Sequence, residues 1–240
     1  MSQKQINFDS VGKVIFRKNR RAKNISIRIK PPAGIVVTLP YYASYKTAEK
    51  FVESKIKWIT KSLLKIKEAE NKRILFDENT TYKTRNHLLK IEQNSSDEIL
   101  IYLSESTIKV KYPERLPVTS PEVQNAVRIG ITEALRIEAK EYLPAKVEIL
   151  AEKFGFNYNK LFIKNLRSRW GSCSNKNNIN LNLQLMRLPD SLIDYVILHE
   201  LVHTVEKNHG KNFWAKLDAI TGNAKALSKE VKKYSTVLHD

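Results

Sequence analysis

The feature that most constrains this chain is a helical stretch whose apolar residues cover nearly the whole helical circumference, SLIDYVILHELVHTV (residues 191–205). A helix that is apolar on all sides must be buried in the core of a domain. Two imidazoles and a carboxylate, those of His199, His203 and Glu200, interrupt this apolar surface. Because buried polar groups need hydrogen-bond or metal partners, His199, His203 and Glu200 must each have such a partner in the folded protein.

The spacing of the two histidines indicates a metal ion as their partner. Residues four apart lie on one face of a helix, so His199 and His203 can direct ring nitrogens at a common point, about 2 Å from a metal. Glu200 lies about 100° around the helix from His199, where it can reach water at the metal without being a ligand. The alternatives are a purely structural zinc and core histidines satisfied by hydrogen bonds.

A third histidine tests this interpretation. A continuing helix would carry His209 about 9 Å along its axis beyond His203, too far to share a metal. The intervening residues are polar, and Asn208 and Gly210 favour a turn. We therefore expect the chain to turn back after His203 and bring His209 to the same ion. Three imidazoles leave one position of Zn²⁺ open to water, as in catalytic sites, and nitrogen ligands favour zinc over other divalent metals.

The composition excludes several other classes of protein. The chain has 240 residues, of which 42% are hydrophobic and 28% charged, enough for one large domain or two small ones. No apolar run is long enough to cross a membrane, and the N-terminal residues lack the pattern of a secretory signal. A single cysteine, Cys173, rules out an internal disulfide. We expect a cytoplasmic protein without a membrane partner.

The net charge of +17 is unevenly distributed. Residues 1–118 carry 24 Lys and Arg against 12 Asp and Glu, a net of +12, whereas residues 119–240 carry 18 against 13, a net of +5. Such an imbalance favours a polyanionic partner such as nucleic acid, which the basic N-terminal half would bind. The alternative is a lysine-rich surface that only keeps the protein in solution.

The pattern of apolar residues predicts an α+β fold in two parts, a β-rich N-terminal region (1–118) and a catalytic domain (119–240). In the first part, ISIRI and IVVTLP predict a hairpin, and HLLKIEQ, EILIYLS and TIKVKYP predict three further strands. Between the two groups of strands we expect one long amphipathic helix from Tyr45 to Asn71, with Thr47 as its cap.

In the second part, residues 121–154 predict a helix interrupted near Pro144, followed by an extended LFIKN. Arg169–Ser174 and Asn178–Leu185 predict a hairpin. The helix that carries the two histidines is expected to begin with a capping box formed by Ser191 and Asp194.

Several segments together resemble the YgjP-like metal-dependent hydrolases, which are related to the SprT-like and Wss-type zincins. These segments are RSRWGSCS, NINLNLQL, Pro189, IDYVILHELVH and NHGKNFW, with RRAKNISIRIKPPAGIVVTLP and KWI nearer the N-terminus. The resemblance covers most of the chain, although residues 75–120 contribute little. It implies a zincin-like catalytic half with an edge strand beside the cleft, zinc ligands at His199, His203 and His209, and a catalytic glutamate at Glu200.

The spacing of the second and third histidines is also that of the metzincins, but two features of that group are missing. Glu206 stands where their turn glycine would be, and no methionine follows Met186. The YgjP-like resemblance has no such departure.

The hypothesis that follows is a zinc-dependent metallopeptidase that acts on proteins or peptides. Glu200 would take a proton from a zinc-activated water as general base and pass it to the leaving nitrogen. Arg169 and Tyr195 are candidates to stabilise the oxyanion. A substrate peptide could add as a strand beside the hairpin.

Other residues near the motif have structural explanations. Gly171 permits close approach of the backbone, Trp170 packs, and Phe213-Trp214 anchors the segment after His209 against the core. Cys173 is expected to be a small buried residue, the alternative being a thiolate that binds zinc in a latent state. His87 and His239 are expected on the surface.

Two rival functions remain open at this point. One is a protease acting on DNA-associated proteins, tethered to nucleic acid by the basic half of the chain. The other is a basic nucleic-acid-binding module whose metal is only structural. The sequence does not identify the substrate or the oligomeric state.

Overall fold

The computed structural model describes residues 3–30, 34–71 and 74–236. The contacts divide the chain into two compact units, Met1–Arg73 and Ile74–Asp240, and both helices and strands occur in each, so the predicted α+β class is confirmed. The sequence placed the boundary near residue 118 instead. The three strands between residues 88 and 113 belong to the second unit because their apolar faces pack on its longest helix.

The first unit is a four-stranded sheet with two helices. Its strands lie in the order β1-β2-β4-β3, and β3 pairs with β4 in the antiparallel hairpin that the sequence predicted. The first two strands were not predicted. The elements are β1 (Gln3–Phe8), β2 (Gly12–Asn19), β3 (Ser26–Lys30), β4 (Gly34–Pro40), α1 (Tyr45–Ser54) and α2 (Ile56–Asn71).

The single helix predicted after β4 is two helices separated at Lys55. The Lys55 N–H bonds to the Val52 carbonyl, three residues back, which tightens the last turn of α1 and ends it. The predicted cap was also wrong, because Ser44 is the N-cap and accepts a hydrogen bond from the Thr47 N–H at 3.0 Å.

The second unit begins with a three-stranded sheet and a long helix. The strands, in the order β5-β7-β6, confirm the three predicted from sequence. The helix is continuous through Pro144, so the predicted interruption was wrong. Leu143 and Val147 on either side are fully buried, and their packing offsets the hydrogen bond that proline cannot donate. The elements are β5 (Leu88–Asn94), β6 (Leu100–Leu103), β7 (Thr107–Pro113) and α3 (Pro121–Phe154).

A second small sheet, β8-β10-β9, leads to the histidine-bearing helix. It comprises β8 (Lys160–Lys164), β9 (Gly171–Cys173) and β10 (Asn178–Asn182). β9 and β10 form the predicted antiparallel hairpin, while β10 pairs with β8 in parallel. The predicted strand to Leu185 ends early because the Asn182 side chain accepts from the Gln184 N–H and caps a short 3₁₀ helix, Leu183–Arg187.

Three helices complete the unit: α4 (Asp190–Val202), α5 (Lys211–Thr221) and α6 (Ala224–Val231). As predicted, α4 is buried on almost every side, here among α3, α5, α6, β9 and β10. The predicted capping box does not form, because Asp194 instead pairs with Lys146 of α3 at 3.1 Å. No helix within the described ranges is sufficiently long and apolar to cross a bilayer.

Candidate metal centre

The chain reverses direction directly after His203, as the sequence required. α4 ends at Val202, and the amides of Val205 and Glu206 both bond to the Val202 carbonyl, at 3.1 and 2.9 Å. The two amides share one carbonyl, as is common in the last turn of a helix, and the chain leaves the helix after them. α5 then begins at Lys211, with Gly210 as its N-cap.

The turn brings the three histidines together. Their candidate ligand atoms all lie within 4.8 Å of one another. Nε2 of His209 lies 3.0 Å from Nε2 of His199 and 3.1 Å from Nε2 of His203. Tetrahedral zinc with bonds of about 2.0–2.1 Å requires nitrogens roughly 3.3 Å apart, so this cluster has the size and the donor type that suit zinc.

A backbone contact fixes the tautomer of one ring. Nδ1 of His203 lies 2.9 Å from the Glu206 carbonyl. Because a carbonyl only accepts hydrogen bonds, Nδ1 is the donor, and in the neutral ring Nε2 then carries the free lone pair. The ring is thus oriented with its available nitrogen toward the other two histidines.

Burial favours the neutral form of the His199 and His203 imidazoles. Burial, together with the neighbouring His203 and His209, lowers the pKa of His199 to about 3. Burial likewise lowers the pKa of His203, although its bond to the Glu206 carbonyl works in the opposite direction. Neutral imidazole is the form that binds metal ions, so these surroundings favour binding.

Glu200, the residue after His199, is buried against strand β9. A Cβ on Gly171 would lie 2.7 Å from its Cγ and Oε1, which confirms the predicted close approach at that glycine. Among the described residues, Glu200 Oε2 has no hydrogen-bond partner. Burial raises the pKa of Glu200 to about 8, and the positive charge of Arg169 opposes that rise. A buried carboxylate oxygen without a partner is costly, and a group bound at the histidines would relieve that cost.

Two aromatic residues of α5 lie beneath the histidines. Phe213 is fully buried and Trp214 partly buried, with ring centroids 5.5 Å apart, so both pack on the core as predicted. Sequence reasoning did not foresee that Phe213 also contacts all three imidazoles. The available signal was its position four residues after His209, which places it in the first turn of the next helix.

The other candidates take different positions around the cluster. Arg169 is exposed, but its charge acts on Glu200. Tyr195 is buried, its ring centroid 6.1 Å from that of His199. Burial raises the pKa of the Cys173 thiol, whose Sγ lies 3.5 Å from the Ser174 carbonyl. In the described part of the chain, the group able to hold an ion consists of the three histidines and does not include Cys173.

The prediction that His87 lies on the surface was wrong. Its side chain is 3% exposed, and Nδ1 lies 2.7 Å from Oε1 of Glu138 on α3. The same carboxylate oxygen accepts hydrogen bonds from the Thr84 hydroxyl and the Asn86 amide. His87 is buried because it pairs with Glu138, which lies about fifty residues away in the sequence. His239 lies outside the described residues.

The sequence matches the family described as YgjP-like, metallopeptidase domain, over residues 23–234. Among solved structures, the metallopeptidase zymogen jannalysin of Methanocaldococcus jannaschii is 22% identical, with a TM-score of 0.35 over 39% of this chain and 96% of that one. The zymogen abylysin of Pyrococcus abyssi is 22% identical, with a TM-score of 0.34 over 38% and 92%. Wss1 from Saccharomyces cerevisiae is 18% identical, with a TM-score of 0.29 over 62% and 97%. No curated protein gives a significant match.

Proposed function

The chain belongs to the YgjP-like metallopeptidase family, and we propose that it is a zinc-dependent peptidase whose ion is held by His199, His203 and His209. The observation that supports this most directly is the convergence of three imidazole nitrogens beside Glu200, whose Oε2 has no partner among the described residues. When bound, zinc would supply a water of lowered pKa and a Lewis acid for the scissile carbonyl.

The proposed role of Glu200 is to move a proton. Glu200 follows His199 in α4, and its carboxylate packs against Gly171 of β9. It would take the proton of the attacking water and deliver it to the leaving nitrogen. Arg169, whose positive charge acts at Glu200, is the stronger of the two candidates for stabilising the oxyanion, because Tyr195 is engaged in the core with Ser228.

We propose that the substrate binds as an extended strand along β9. In the sheet order β8-β10-β9, one edge of β9 pairs with β10 and the other is not paired within that sheet. An extended peptide could satisfy that edge with main-chain hydrogen bonds. Because Gly171 begins β9 and contacts Glu200, a bound strand would pass directly beside the catalytic carboxylate.

A test of this function compares Glu200→Gln with Glu152→Gln, which removes an exposed carboxylate from the far end of α3. Zinc content, thermal stability and cleavage of a proteome-derived peptide library are measured for each protein. Glu200→Gln should keep one zinc per chain and lose about 10²–10⁴-fold in cleavage rate. Glu152→Gln should match the wild type. Undiminished cleavage by Glu200→Gln would remove Glu200 from the mechanism.

A second proposed property, binding to nucleic acid, is supported by the division of charge between the two units. Met1–Arg73 carries 18 Lys and Arg against 5 Asp and Glu, a net of +13, whereas Ile74–Asp240 carries 24 against 20, a net of +4. The first unit also exposes Tyr41, Tyr42 and Trp58. Basic surfaces with exposed aromatic side chains suit single-stranded nucleic acid, whose bases stack on the rings. Such binding would tether the peptidase to DNA-associated proteins.

Fluorescence anisotropy with single- and double-stranded DNA over a range of salt concentrations tests this tether. We expect the logarithm of the affinity to fall linearly with the logarithm of salt concentration. Tyr42→Ala should weaken binding of single strands by at least about fivefold, from the loss of one stacked base. Tyr102→Ala, which removes a half-exposed tyrosine from the second unit, is the control. Absence of binding at low salt would rule the tether out.

The third possibility, a binding module with a purely structural metal, makes the opposite prediction for turnover. Such a protein would unfold on chelation and bind nucleic acid, yet cleave no peptide in the library. Cleavage that depends on both zinc and Glu200 would exclude it.

A further inference from the structure

Phe213 forms a common base under all three histidines. Its ring centroid lies 4.9 Å from that of His199, 4.5 Å from that of His203 and 4.7 Å from that of His209. The ring meets His199 and His209 edge to face, at 70° and 72°, and lies 31° from the plane of His203. The side chain is 0% exposed.

The three histidines come from two segments of the chain, so their rings must be held in a common orientation. Two of the histidines come from the end of α4, while His209 comes from the segment just before α5. An imidazole at each position can rotate about its side-chain torsions, and χ2 has broad minima. The Glu206 carbonyl orients His203, but the ring nitrogens of His199 and His209 bond only to other members of the cluster in the described part of the chain. These two rings therefore need another restraint.

We propose that Phe213 is a positioning residue, which holds the three imidazoles in the orientation that binds the ion. The inference rests on the proposed zinc site. Edge-to-face contacts favour one tilt of each ring, and a fully buried aromatic base leaves no room for water behind the cluster. Groups that orient metal ligands through hydrogen bonds typically affect metal affinity by about 10–100-fold, and we expect orientation by ring packing to act in the same range.

The alternative is that Phe213 is an ordinary core residue whose loss only destabilises the fold. Leu217, equally buried at 0% exposure, lies four residues on along α5, which is about 6 Å further along the helix axis. Leu217→Ala therefore creates a cavity in the same helix and on the same face, one turn away from the histidines. It is the matched control for stability without the contact to the rings.

The experiment measures zinc affinity by competition with a chromophoric chelator, together with the visible spectrum of the Co²⁺-substituted protein. Thermal stability of the metal-free form is recorded for wild type, Phe213→Leu, Phe213→Ala and Leu217→Ala. We expect Phe213→Ala to lose about 10–100-fold in zinc affinity and to show an altered Co²⁺ spectrum. Phe213→Leu, which retains an apolar base without the aromatic edge, should lie between Phe213→Ala and wild type. Leu217→Ala should lose stability while keeping the wild-type affinity and spectrum.

Two outcomes would overturn the inference: wild-type zinc affinity and Co²⁺ spectrum in both Phe213 variants, or an equal loss of affinity in Leu217→Ala. If Phe213→Ala does not fold, Phe213→Leu decides between the same outcomes. The proposed function fails separately, since it requires the wild-type protein to bind zinc through the three histidines. A wild type that binds no zinc refutes the site, whereas a wild type that binds zinc regardless of residue 213 refutes only the role of Phe213.

Discussion

Gly171 and Glu200 are packed so closely that no side chain fits between them, since a Cβ at position 171 would lie 2.7 Å from Oε1 of the glutamate. Gly171→Ala must therefore displace the carboxylate or the strand that carries residue 171. We expect a loss of about 1–3 kcal/mol in the free energy of unfolding from this overpacking. We also expect peptide cleavage to fall about 10²-fold, because a displacement of about 1 Å can have that effect.

Gly210→Ala is the matched control for that substitution. A Cβ at position 210 would meet nothing within 4 Å, and Gly210 has a φ of −77°, which alanine adopts freely. Urea unfolding and steady-state kinetics of the two variants provide the comparison. Wild-type cleavage by Gly171→Ala would show that the tight contact has no part in positioning Glu200.

Removal of the metal should destabilise the second unit, because the ion would join α4 to the segment before α5. At a free zinc concentration 100 times the Kd, binding adds about 2.7 kcal/mol to the free energy of unfolding. At about 2–4 °C per kcal/mol for a chain of this size, the expected rise in Tm is roughly 5–10 °C. Differential scanning calorimetry with chelator, and then with zinc restored, measures this shift.

His203→Ala is the counterpart of the chelation experiment. It removes one of the three nitrogens, so its Tm should respond little to zinc or chelator. An equal response in His203→Ala and wild type would place the stabilising ion elsewhere.

Replacement of Glu138 by alanine should be among the most destabilising single changes in the second unit. Its Oε1 atom accepts hydrogen bonds from Thr84, Asn86 and His87, and the side chain is fully buried. Alanine would leave the Asn86 amide and the His87 ring without this acceptor, at a cost of about 3–5 kcal/mol. Glu138→Gln retains an acceptor oxygen and should lose less. Urea denaturation measures both, and a loss below about 1 kcal/mol in Glu138→Ala would contradict the assigned network.

The ion pair of Arg85 and Asp190 should contribute to stability in a pH-dependent way. The hydrogen bond from Arg85 lowers the pKa of Asp190, and the Arg85 guanidinium also lies 4.1 Å from the centroid of the Tyr142 ring. A lowered folded-state pKa stabilises the protein above the unfolded pKa of about 3.9, and this stabilisation is lost as the pH falls through the folded value. Because the Asp190 side chain is 60% exposed, the contribution at neutral pH should be only about 0.5 kcal/mol.

Asp190→Asn should therefore be slightly less stable than wild type at neutral pH and equally stable once Asp190 of the wild type is protonated. Urea midpoints measured from neutral pH down to about pH 2.5 test this expectation. Asp97→Asn is the control, since Asp97 pairs with Arg115 but is 92% exposed and should contribute almost nothing. A difference for Asp190→Asn that is constant across the pH range would mean that the charge is not its source.

The geometry of the histidine cluster could be predicted from the sequence because it depends on local spacing. His199 and His203 lie one helical turn apart, and the polar turn that follows allows only a short return to His209. Likewise, the hairpin of β9 and β10 follows from alternation that extends over a few residues. In each case the interaction that decides the structure lies between residues close in sequence.

What could not be predicted depends on contacts between distant residues. His87 is buried because Glu138 of α3 pairs with it. Asp194 of α4 does not form the expected capping box because it pairs with Lys146 of α3. Asn182 ends β10 by capping a 3₁₀ helix, while its side-chain amide donates to the Leu166 and Arg169 carbonyls. No pattern in the neighbouring sequence distinguishes these side chains from ordinary exposed ones.

The 34-residue helix α3 has a practical consequence for anyone who wishes to isolate the part of the protein that bears the histidines. It packs on β6 and β7 as well as on β8 and α4, so a fragment that begins at residue 119 would leave the apolar surface that faces β6 and β7 exposed to water. Such a fragment should aggregate. The smallest fragment that folds on its own should instead start near residue 74, because it would keep the strands that pack on this helix.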